Sequence, residues 1–356
     1  MNALTELKDF KIRLDIELSN FFVVKIADAE KISPEAKEMA EYISDLTLRG
    51  GKRIRAALLY YSYLAHGGTN NDEVLKASMS MELSETFLLI HDDIMDNDSL
   101  RRGGRTIHES YRRICNEKYH GKIIANHFGK SIAMLTGDIA CAWSNEILAS
   151  SKFKCDYNQK SLEMLNQIYV VECYGQAMDV LGELKDDVKK SDVILVHQLK
   201  TVPYTFDGPI KIGAILAGAT AEQIKSLEGY SMPLGTAFQI QDDVLGMFGT
   251  VEKTGKPVLS DLKEGKKTLL ILDALECGNP QQVEIIKRNL GNKKASVSDL
   301  KAVREVLIAT NALQKSKNLC EKLVCEAIDT AESLELRSPG KDFILGIAEW
   351  MVKREY

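Results

Sequence analysis

Two clusters of acidic residues, about 150 positions apart, are the part of this sequence best suited to chemistry. The first comprises Asp92, Asp93 and Asp96 within LLIHDDIMDNDSLRRGG, and the second comprises Asp242 and Asp243 within FQIQDDVLGMFG. Each interrupts an apolar segment. Carboxylates this close repel one another and lose hydration beside apolar residues, so bound cations normally compensate them. Oxygen ligands favour Mg²⁺, which shares its coordination positions with water and substrate phosphates. The pattern therefore indicates a site that holds a polyphosphate through metal.

The first cluster lies toward the end of a predicted helix. Asp92 and Asp96 are four residues apart, so their side chains point the same way, about one turn from each other. They can therefore bind the same metal–phosphate assembly. A charged helix end that frays into solvent is the alternative, but the apolar lead-in and the arginines that follow favour a ligand site. A calcium-binding loop starting at Asp96 is excluded because Arg101 and Ile107 stand where glycine and glutamate are required.

Basic residues near the first cluster suit a diphosphate, which needs hydrogen-bond donors as well as metal. Arg101 and Arg102 follow the cluster directly. The segment Gly50-Gly51-Lys52-Arg53-Ile54-Arg55 combines a flexible glycine pair with three cations at a predicted helix N-terminus, where backbone N–H groups attract phosphate. Taken alone, this segment is also compatible with a solvated loop. Together, the two basic groups could bind two diphosphates.

The second acidic cluster has polar neighbours of its own. Gln239 shares its predicted helix, and Lys200-Thr201 lies upstream near a helix end. Downstream, a segment with Gly and Pro carries Lys256, Asp261, Lys266 and Lys267. Each lysine alone is typical of a surface charge, whereas a departing diphosphate gives a reason for several to converge.

Other catalytic patterns are weaker. No Ser-His-Asp or Cys-His nucleophile pattern stands out, and the six histidines lack metal-ligand spacing. Gly129-Lys130-Ser131 is similar to the end of a phosphate loop, but Ile124 stands where the first glycine is required. His91 beside Asp92 would suit a metal phosphohydrolase, yet His66 is not a convincing partner.

Length and composition predict a mostly helical protein. The 356 residues contain no linker or low-complexity stretch, so we expect a single domain over residues 1–356. Prolines number only 7, and apolar residues recur mostly at three- and four-residue spacing. Helices are expected near residues 3–30, 34–48, 53–66, 72–97, 123–150, 160–181, 190–202, 208–217, 221–248, 267–276, 281–290, 298–309, 312–333 and 341–353. Connections are expected at residues 49–51, 67–70, 102–104 and 250–266.

Charge and cysteine content limit the cellular setting. The net charge of −5 gives no reason to expect nucleic-acid binding. The seven scattered cysteines include no Cys-x-x-Cys pair, which indicates neither a disulfide framework nor a zinc site and suits a reducing cytosol. We expect no signal peptide and no membrane span, because charges break up the N-terminus and the longest apolar stretch, near residues 212–221, is too short.

Eight motifs occur in an order that resembles the trans-isoprenyl diphosphate synthases, the farnesyl and geranylgeranyl diphosphate synthase family. They are GGKRIR, HDDIMDNDSLRRGG, KSIAMLTGD, ECYGQAMD, LKT, GAILAG, FQIQDDVLG and TGKPVLSDLKEGKKT. The resemblance, especially to archaeal-type short-chain geranylgeranyl synthases, implies an all-α isoprenoid synthase fold. In that fold, largely antiparallel helices surround a deep central cavity with both acidic motifs at its mouth, and the resemblance also implies a homodimer. The family's reaction, which the resemblance implies for this chain, is a head-to-tail condensation. An allylic diphosphate ionises, the double bond of isopentenyl diphosphate attacks the carbocation, and a proton is lost.

The resemblance implies a role for each matching residue. Three Mg²⁺ ions would bridge the allylic diphosphate, held by Asp92, Asp96 and Asp242. The leaving group would be contacted by Arg101, Lys200 and Lys256, with Lys266 nearby. The carbocation would be flanked by Thr201 and Gln239. Isopentenyl diphosphate would be held by Lys52, Arg55 and Arg102, and the basic C-terminal Lys353 and Arg354 would close over it. Charge stabilisation of the departing diphosphate lowers the ionisation barrier.

Three positions depart from the family pattern. Glu85 stands where Gln or His usually contacts isopentenyl diphosphate, and so places an anion where an anion must bind. Gly246 stands where the second motif usually ends in Asp, a change associated with archaeal-type synthases. The segment Ile114–Phe128 is longer than the corresponding family loop.

Product length is suggested by the residues before the first motif. In the family, bulky residues here form the cavity floor, and this chain has Phe87, with Leu88 and Ser84 beside it. One aromatic residue suggests a floor deep enough for a C20 product, geranylgeranyl diphosphate, with C15 farnesyl diphosphate as the alternative. Phe87 lies roughly 7.5 Å along the helix from Asp92 but about 140° around it. Its orientation toward the cavity is therefore an implication of the resemblance.

Two other classes remain open. A class I terpene cyclase would share the first motif, but Gly246 and Thr250 stand where its second motif needs a hydroxyl residue and glutamate, and it would not need GGKRIR. A non-catalytic subunit of a partner synthase is the binding-protein alternative, against which the intact acidic motifs argue.

Overall fold

The computed structural model describes residues 2–119, 123–185, 187–249 and 259–352. Within these ranges, β-structure is confined to one antiparallel hairpin, in which strands β1 (Leu100–Arg101) and β2 (Gly104–Arg105) pair. The remaining regular structure is helical. The all-α prediction is therefore confirmed.

The helices follow one another along the chain with short connections. The first eleven are α1 Ala3–Glu30, α2 Pro34–Leu48, α3 Ile54–Ala65, α4 Asn71–Asp96, α5 Ile107–Tyr119, α6 Ala125–Ala149, α7 Cys155–Leu184, α8 Lys190–Val196, α9 Gly208–Ala217, α10 Ala221–Ser226 and α11 Glu228–Phe248. Two π-helical turns, His197–Thr201 and Pro203–Asp207, separate α8 from α9. The later helices are Ser260–Glu264, Leu269–Cys277, Pro280–Asn289, Val297–Ala309, Ala312–Ser333 and Gly340–Val352.

The chain divides into two compact units. The first comprises the described residues of Met1–Glu163 and Ile212–Gly218, and the second those of Met164–Lys211 and Ala219–Tyr356. The first acidic motif belongs to the first unit and the second motif to the second unit. The expectation of a single domain stays a prediction.

Several helix boundaries follow from local capping. The Ser33 side chain accepts the Ala36 N–H, and Pro34 occupies the first turn of α2, where a missing N–H costs nothing. Thr220 and Gln223 form a reciprocal capping box at the start of α10. A new helix then begins at Glu228, so the single helix predicted over residues 221–248 is wrong at this point.

No helix was predicted between residues 97 and 123, so α5 is a correction, whereas the start of α6 lies close to the predicted residue 123. Helix α5 continues to Tyr119, and α6 begins at Ala125. The residues of α5 are mostly polar, but Ile107, Tyr111 and Cys115 are spaced four apart and buried. That single buried stripe is enough to hold the helix in place.

The helix predicted over residues 190–202 changes character partway. It is α-helical only to Val196 and then π-helical through Thr201. Pro203 has no N–H to donate, so regular α-helical bonding cannot continue through it. The connection predicted at residues 250–266 is described only from Leu259 onward, and there it contains the short helix Ser260–Glu264.

Candidate active site

The end of α4 carries the first acidic motif. Ile90 and Ile94 pack into a buried cluster with residues of α2, α5 and α6, which fixes the orientation of this last stretch of helix. The helix ends at Asp96 because Asn97 adopts a left-handed conformation, with φ of 55°. The Asp92 side chain, 22% exposed, lies off the buried face.

Arg101 is held among three aspartates. Its Nε donates to Asp93 Oδ1 at 2.7 Å, and its Nη2 lies 3.4 Å from Asp92 and 3.2 Å from Asp98. Burial raises the pKa of Asp93 to about 6, with Arg101 opposing this shift and the two neighbouring carboxylates adding to it. The predicted leaving-group ligand Arg101 is therefore fixed beside the first motif, and its principal partner is Asp93, for which no role was predicted.

The β-hairpin after the motif is attached to the end of α2 by Arg49. The Arg49 Nη1 donates to the carbonyl oxygens of Arg101 at 3.2 Å and Arg105 at 2.9 Å. A Cβ on Gly104 would overlap the Arg49 guanidinium, so glycine permits this approach without displacing the arginine side chain. These contacts fix the hairpin turn that contains Arg102.

The segment between α2 and α3 approaches the same turn. Gly50 and Gly51 have φ of 110° and 143°, conformations that favour glycine. A Cβ on Gly51 would lie 3.3 Å from Arg102 Nη2, so the two basic groups predicted from sequence are neighbours in the first unit. Lys52 is exposed in this segment, and Arg55 lies in the first turn of α3.

Glu85 joins the two basic groups. Its Oε1 lies 3.1 Å from Arg55 Nη1 and 3.0 Å from Arg102 Nη2. Burial tends to raise the pKa of Glu85, but the adjacent guanidiniums outweigh burial and hold the pKa below its usual range. The structure therefore places a carboxylate between two residues that were predicted to bind isopentenyl diphosphate.

A second, fully buried ion pair lies one turn earlier on α4. Arg53 Nη1 donates to Glu82 at 2.6 Å, and Arg53 Nε donates to Asp15 of α1 at 2.9 Å. Sequence reasoning missed this pair. The spacing could have indicated a second ion pair, since Glu82 and Glu85 lie three apart on one face of a helix and Arg53 and Arg55 lie two apart.

The residues predicted to control product length lie on α4. Phe87 is buried, and its ring stands edge-on to His91 with 4.9 Å between centroids. Ser84 is buried and shares a hydrogen bond of 2.9 Å with Ser144 of α6. Leu88 is half-buried.

In the second unit, Lys200 is positioned by a close approach between α7 and the first π-helical turn. A Cβ on Gly175 would overlap the backbone of Lys200, so glycine permits this contact. Lys200 Nζ then donates to Asp179 of α7 at 2.7 Å. Burial tends to raise the pKa of Asp179, but Lys200, Lys266 and His197 together hold it below its usual value. Lys200 and Lys266 therefore act on the same carboxylate, and their convergence on a diphosphate stays a prediction.

The second acidic motif is connected to Thr201 by hydrogen bonds. Thr201 Oγ1 donates to Gln239 Oε1 at 2.7 Å, and Gln239 Nε2 donates to Asp243 Oδ1 at 3.0 Å. His197 Nε2 lies 3.2 Å from the other oxygen of Asp243. Thr201 and Gln239, both predicted site residues, are in direct contact. Asp242 is half-buried beside them on α11.

The ligand chemistry of the two motifs fits magnesium. Among the residues that the structure describes, no three His, Cys, Asp or Glu side chains form a ready-made metal cage. Mg²⁺ does not need one, since it usually binds one or two carboxylates and completes its coordination with water and substrate phosphates. The partly exposed Asp92 and half-buried Asp242 suit that mode. Lys256, Lys353 and Arg354 lie outside the described residues.

A helical scaffold that carries two aspartate motifs, with Arg101 beside the first and Thr201, Gln239 and His197 around the second, defines a class of enzyme that acts on diphosphates. The chain belongs to the polyprenyl synthetase family, whose model matches residues 35–307. Magnesium is the metal this family uses. The family identity confirms the predictions of a prenyltransferase and of the isoprenoid synthase fold.

Individual relatives agree over nearly the whole chain. The geranylgeranyl diphosphate synthase of Sulfolobus acidocaldarius is 32% identical, over 91% of this chain and 93% of the relative. The geranylfarnesyl diphosphate synthase of Aeropyrum pernix is also 32% identical, over 90% and 97%. The geranylgeranyl pyrophosphate synthase of Corynebacterium glutamicum, solved with isoprenyl diphosphate and magnesium, superposes with a TM-score of 0.91 at 27% identity, over 98% and 99%. In the described part of this chain, every helix is too short or too polar to cross a membrane.

Proposed function

We propose that this chain is a short-chain trans-prenyltransferase that condenses isopentenyl diphosphate with dimethylallyl, geranyl and farnesyl diphosphates and releases diphosphate. Its main product is geranylgeranyl diphosphate. The observation that carries the proposal is the presence of cations of two kinds. Arg101 lies beside the first acidic motif and Lys200 is paired with Asp179, whereas Arg55 and Arg102 form a second basic pair around Glu85. An enzyme with two diphosphate substrates needs both kinds.

The allylic diphosphate is bound through the acidic motifs. Mg²⁺, when bound, supplies positive charge to the departing diphosphate, and three ions are proposed, on Asp92, Asp96 and Asp242. The side chains that stabilise the same leaving group are Arg101, Lys200, Lys256 and Lys266. Because Arg101 and Lys200 are already fixed by aspartates, their charge is positioned before the bond breaks, which is the condition for effective electrostatic stabilisation.

Thr201 and Gln239 flank the allylic carbocation. The amide of Gln239 donates to Asp243 and accepts from Thr201, so its carbonyl dipole has one orientation. Oxygen dipoles fixed in this way stabilise a developing positive charge without reorganising during the reaction. Isopentenyl diphosphate is held by Lys52, Arg55 and Arg102 while its double bond attacks the cation, and the proton it loses passes to the released diphosphate.

Product length is proposed from Phe87 and from the relatives. The Sulfolobus acidocaldarius relative is a geranylgeranyl diphosphate synthase, which supports a C20 product. The Aeropyrum pernix relative is a geranylfarnesyl diphosphate synthase, so a C25 product is a second outcome to examine. Farnesyl diphosphate synthesis remains the C15 alternative. A homodimer located in the cytoplasm is also proposed, from the family resemblance and the cysteine content.

The test is a magnesium-dependent assay of the purified chain alone with labelled isopentenyl diphosphate and each allylic diphosphate. Chromatography of the dephosphorylated products is expected to show a predominant C20 alcohol and no turnover in EDTA. A hydrocarbon formed without isopentenyl diphosphate would identify a cyclase. No product with any allylic substrate would identify a non-catalytic subunit. Light scattering on the same preparation measures the oligomeric state.

A further inference from the structure

Two layers of ion pairs lie along one face of α4. The inner layer, Arg53 with Glu82, has side-chain exposures of 0% and 1%. The outer layer, Glu85 with Arg55 and Arg102, has exposures of 15%, 15% and 17%. Solvent and ligands can therefore reach the outer layer and not the inner one.

The inner layer already anchors the basic segment to the rest of the unit. Besides Glu82, Arg53 donates to Asp15 at 2.9 Å and to the carbonyl oxygen of Thr47 at 2.8 Å. These bonds connect the start of α3 to α1, α2 and α4. The charge of Glu85 is thus not required to hold that segment in place.

The outer layer has the geometry of an anion-binding site. Arg55 lies on α3 and Arg102 in the hairpin turn, yet both guanidiniums converge on one oxygen, Oε1 of Glu85. A carboxylate oxygen and a phosphate oxygen accept the same charge-assisted bonds from arginine. One cannot occupy this position while the other does.

We propose that Glu85 is a built-in counter-ion of the Arg55–Arg102 pair, and that the diphosphate of the second substrate binds by competing with its carboxylate. Glu85 then sets the affinity of this site, because its carboxylate weakens binding of isopentenyl diphosphate. This inference rests on the proposed function for the identity of the substrate. The anion competition itself can be tested without turnover.

The test is calorimetric titration of inorganic diphosphate into the wild type and into Glu85→Gln in the presence of EDTA. Without metal, binding depends on the cationic side chains. Glutamine keeps the size and an acceptor oxygen but removes the charge, so we expect about tenfold tighter binding, the effect of one like charge in a partly exposed site. Increasing ionic strength is expected to narrow the difference. In the assay with substrates, Glu85→Gln is expected to lower KM for isopentenyl diphosphate and leave KM for the allylic substrate unchanged.

Glu82→Gln is the matched control. It makes the same substitution one turn away on the same helix, in a pair that solvent does not reach. We expect it to lower the melting temperature without tightening the binding of diphosphate. Arg55→Gln, which removes half of the anion site, is expected to weaken binding and identifies the site being titrated. Glu85→Ala serves in place of Glu85→Gln if the latter does not fold.

Each result has one meaning. Tighter binding in Glu85→Gln alone supports the competition. Equal tightening in Glu82→Gln would reveal a general charge effect and overturn it. Unchanged or weaker binding in a folded Glu85 variant would show that the carboxylate merely positions the arginines, and would also overturn it. Tighter binding in a protein that makes no prenyl product would refute the proposed function and leave the anion competition standing.

Discussion

The carboxylate of Asp261 occupies the space into which a side chain on Gly246 would extend. A Cβ built on Gly246 would overlap Asp261 Oδ2. Gly246 lies within α11, where glycine costs about 1 kcal/mol of helix stability relative to alanine. The close approach of Asp261 explains why glycine nevertheless occupies this position. A side chain at position 246 would therefore fit only if Asp261, on the short helix Ser260–Glu264, moved away.

Replacing Gly246 with Asp is therefore expected to impair the enzyme, although it restores the usual family residue. The new side chain would overlap Asp261 and add a like charge beside it, at an overpacking cost of about 1–3 kcal/mol. We expect a lower melting temperature and at least a tenfold loss in kcat/KM. Gly246→Ala should show the steric part of this effect alone.

Gly182→Ala is the control for this substitution. Gly182 lies in α7, and a Cβ there would meet no atom within 4 Å. Alanine should leave kcat/KM unchanged and stabilise the helix by up to about 1 kcal/mol. A Gly246→Asp enzyme with unchanged kcat/KM would show that activity does not require Asp261 in its present position.

Removing a carboxylate that is proposed to bind metal is expected to reduce turnover severely without unfolding the chain. Asp92→Ala and Asp242→Ala should each cut kcat by several orders of magnitude, because ionisation loses its counter-charge. Circular dichroism should remain unchanged. Asp72→Asn, at the exposed start of the same helix as Asp92, is the control and should be fully active. If either alanine variant kept more than about a tenth of wild-type kcat/KM, a deficit of only ~1.4 kcal/mol, its metal role would be wrong.

Lys200 is expected to contribute stability that depends on pH through Asp179. The pKa of Asp179 is lowered in the folded chain despite burial, with Lys200 the largest opposing influence. A lowered carboxylate pKa stabilises the fold above its usual value of 3.8 and loses that effect as pH falls through the folded pKa. Lys200→Ala should therefore destabilise the chain at pH 7 and progressively less below about pH 4. Urea unfolding of both proteins across this range measures the difference, and a constant difference would contradict the assignment.

Much of the scaffold was predictable, because apolar spacing and capping residues act locally. The limits of α1, α2 and Ala312–Ser333 match the predicted ranges. Helix α5 was missed because its buried stripe is narrow within a polar sequence. The change at His197–Thr201 from α- to π-helical bonding depends on Pro203, whose effect on hydrogen bonding was not considered.

The sequence identified the types of residue in the site but not which of them contact one another. The acidic motifs and the GGKRIR cations are contiguous in sequence and could be read directly. Asp179 lies 21 positions before Lys200, and nothing in the sequence marks them as a pair. Glu85 was recognised as an anion in an anion site, but its contact with both Arg55 and Arg102 required the fold to bring the hairpin to α3.

The two diphosphate sites are expected to respond differently to mutation. Lys52→Ala and Arg55→Ala should mainly raise KM for isopentenyl diphosphate, because these residues are the proposed ligands of the second substrate. Lys200→Ala should chiefly lower kcat, because it removes charge from the leaving group of the first. Steady-state kinetics with each substrate varied in turn separates the two effects. Identical changes in both kinds of variant would refute the assignment of separate sites.

Product length is expected to depend on Phe87. In the structure Phe87 shares its face of α4 with His91. His91 Nε2 lies 3.2 Å from the carbonyl oxygen of Met134 in α6, so the Phe87 ring also lies toward α6. Phe87→Ala should remove the proposed floor of the cavity and shift the products from C20 to C25 or longer. Phe10→Leu, which loosens a buried aromatic contact elsewhere in the first unit, is the control for general loss of packing and should lower stability without lengthening the product.

Chromatography of the prenyl alcohols decides the outcome. An unchanged distribution in Phe87→Ala would mean that a different residue sets the length, and a longer product in both variants would mean that loosened packing, and not the floor, controls it.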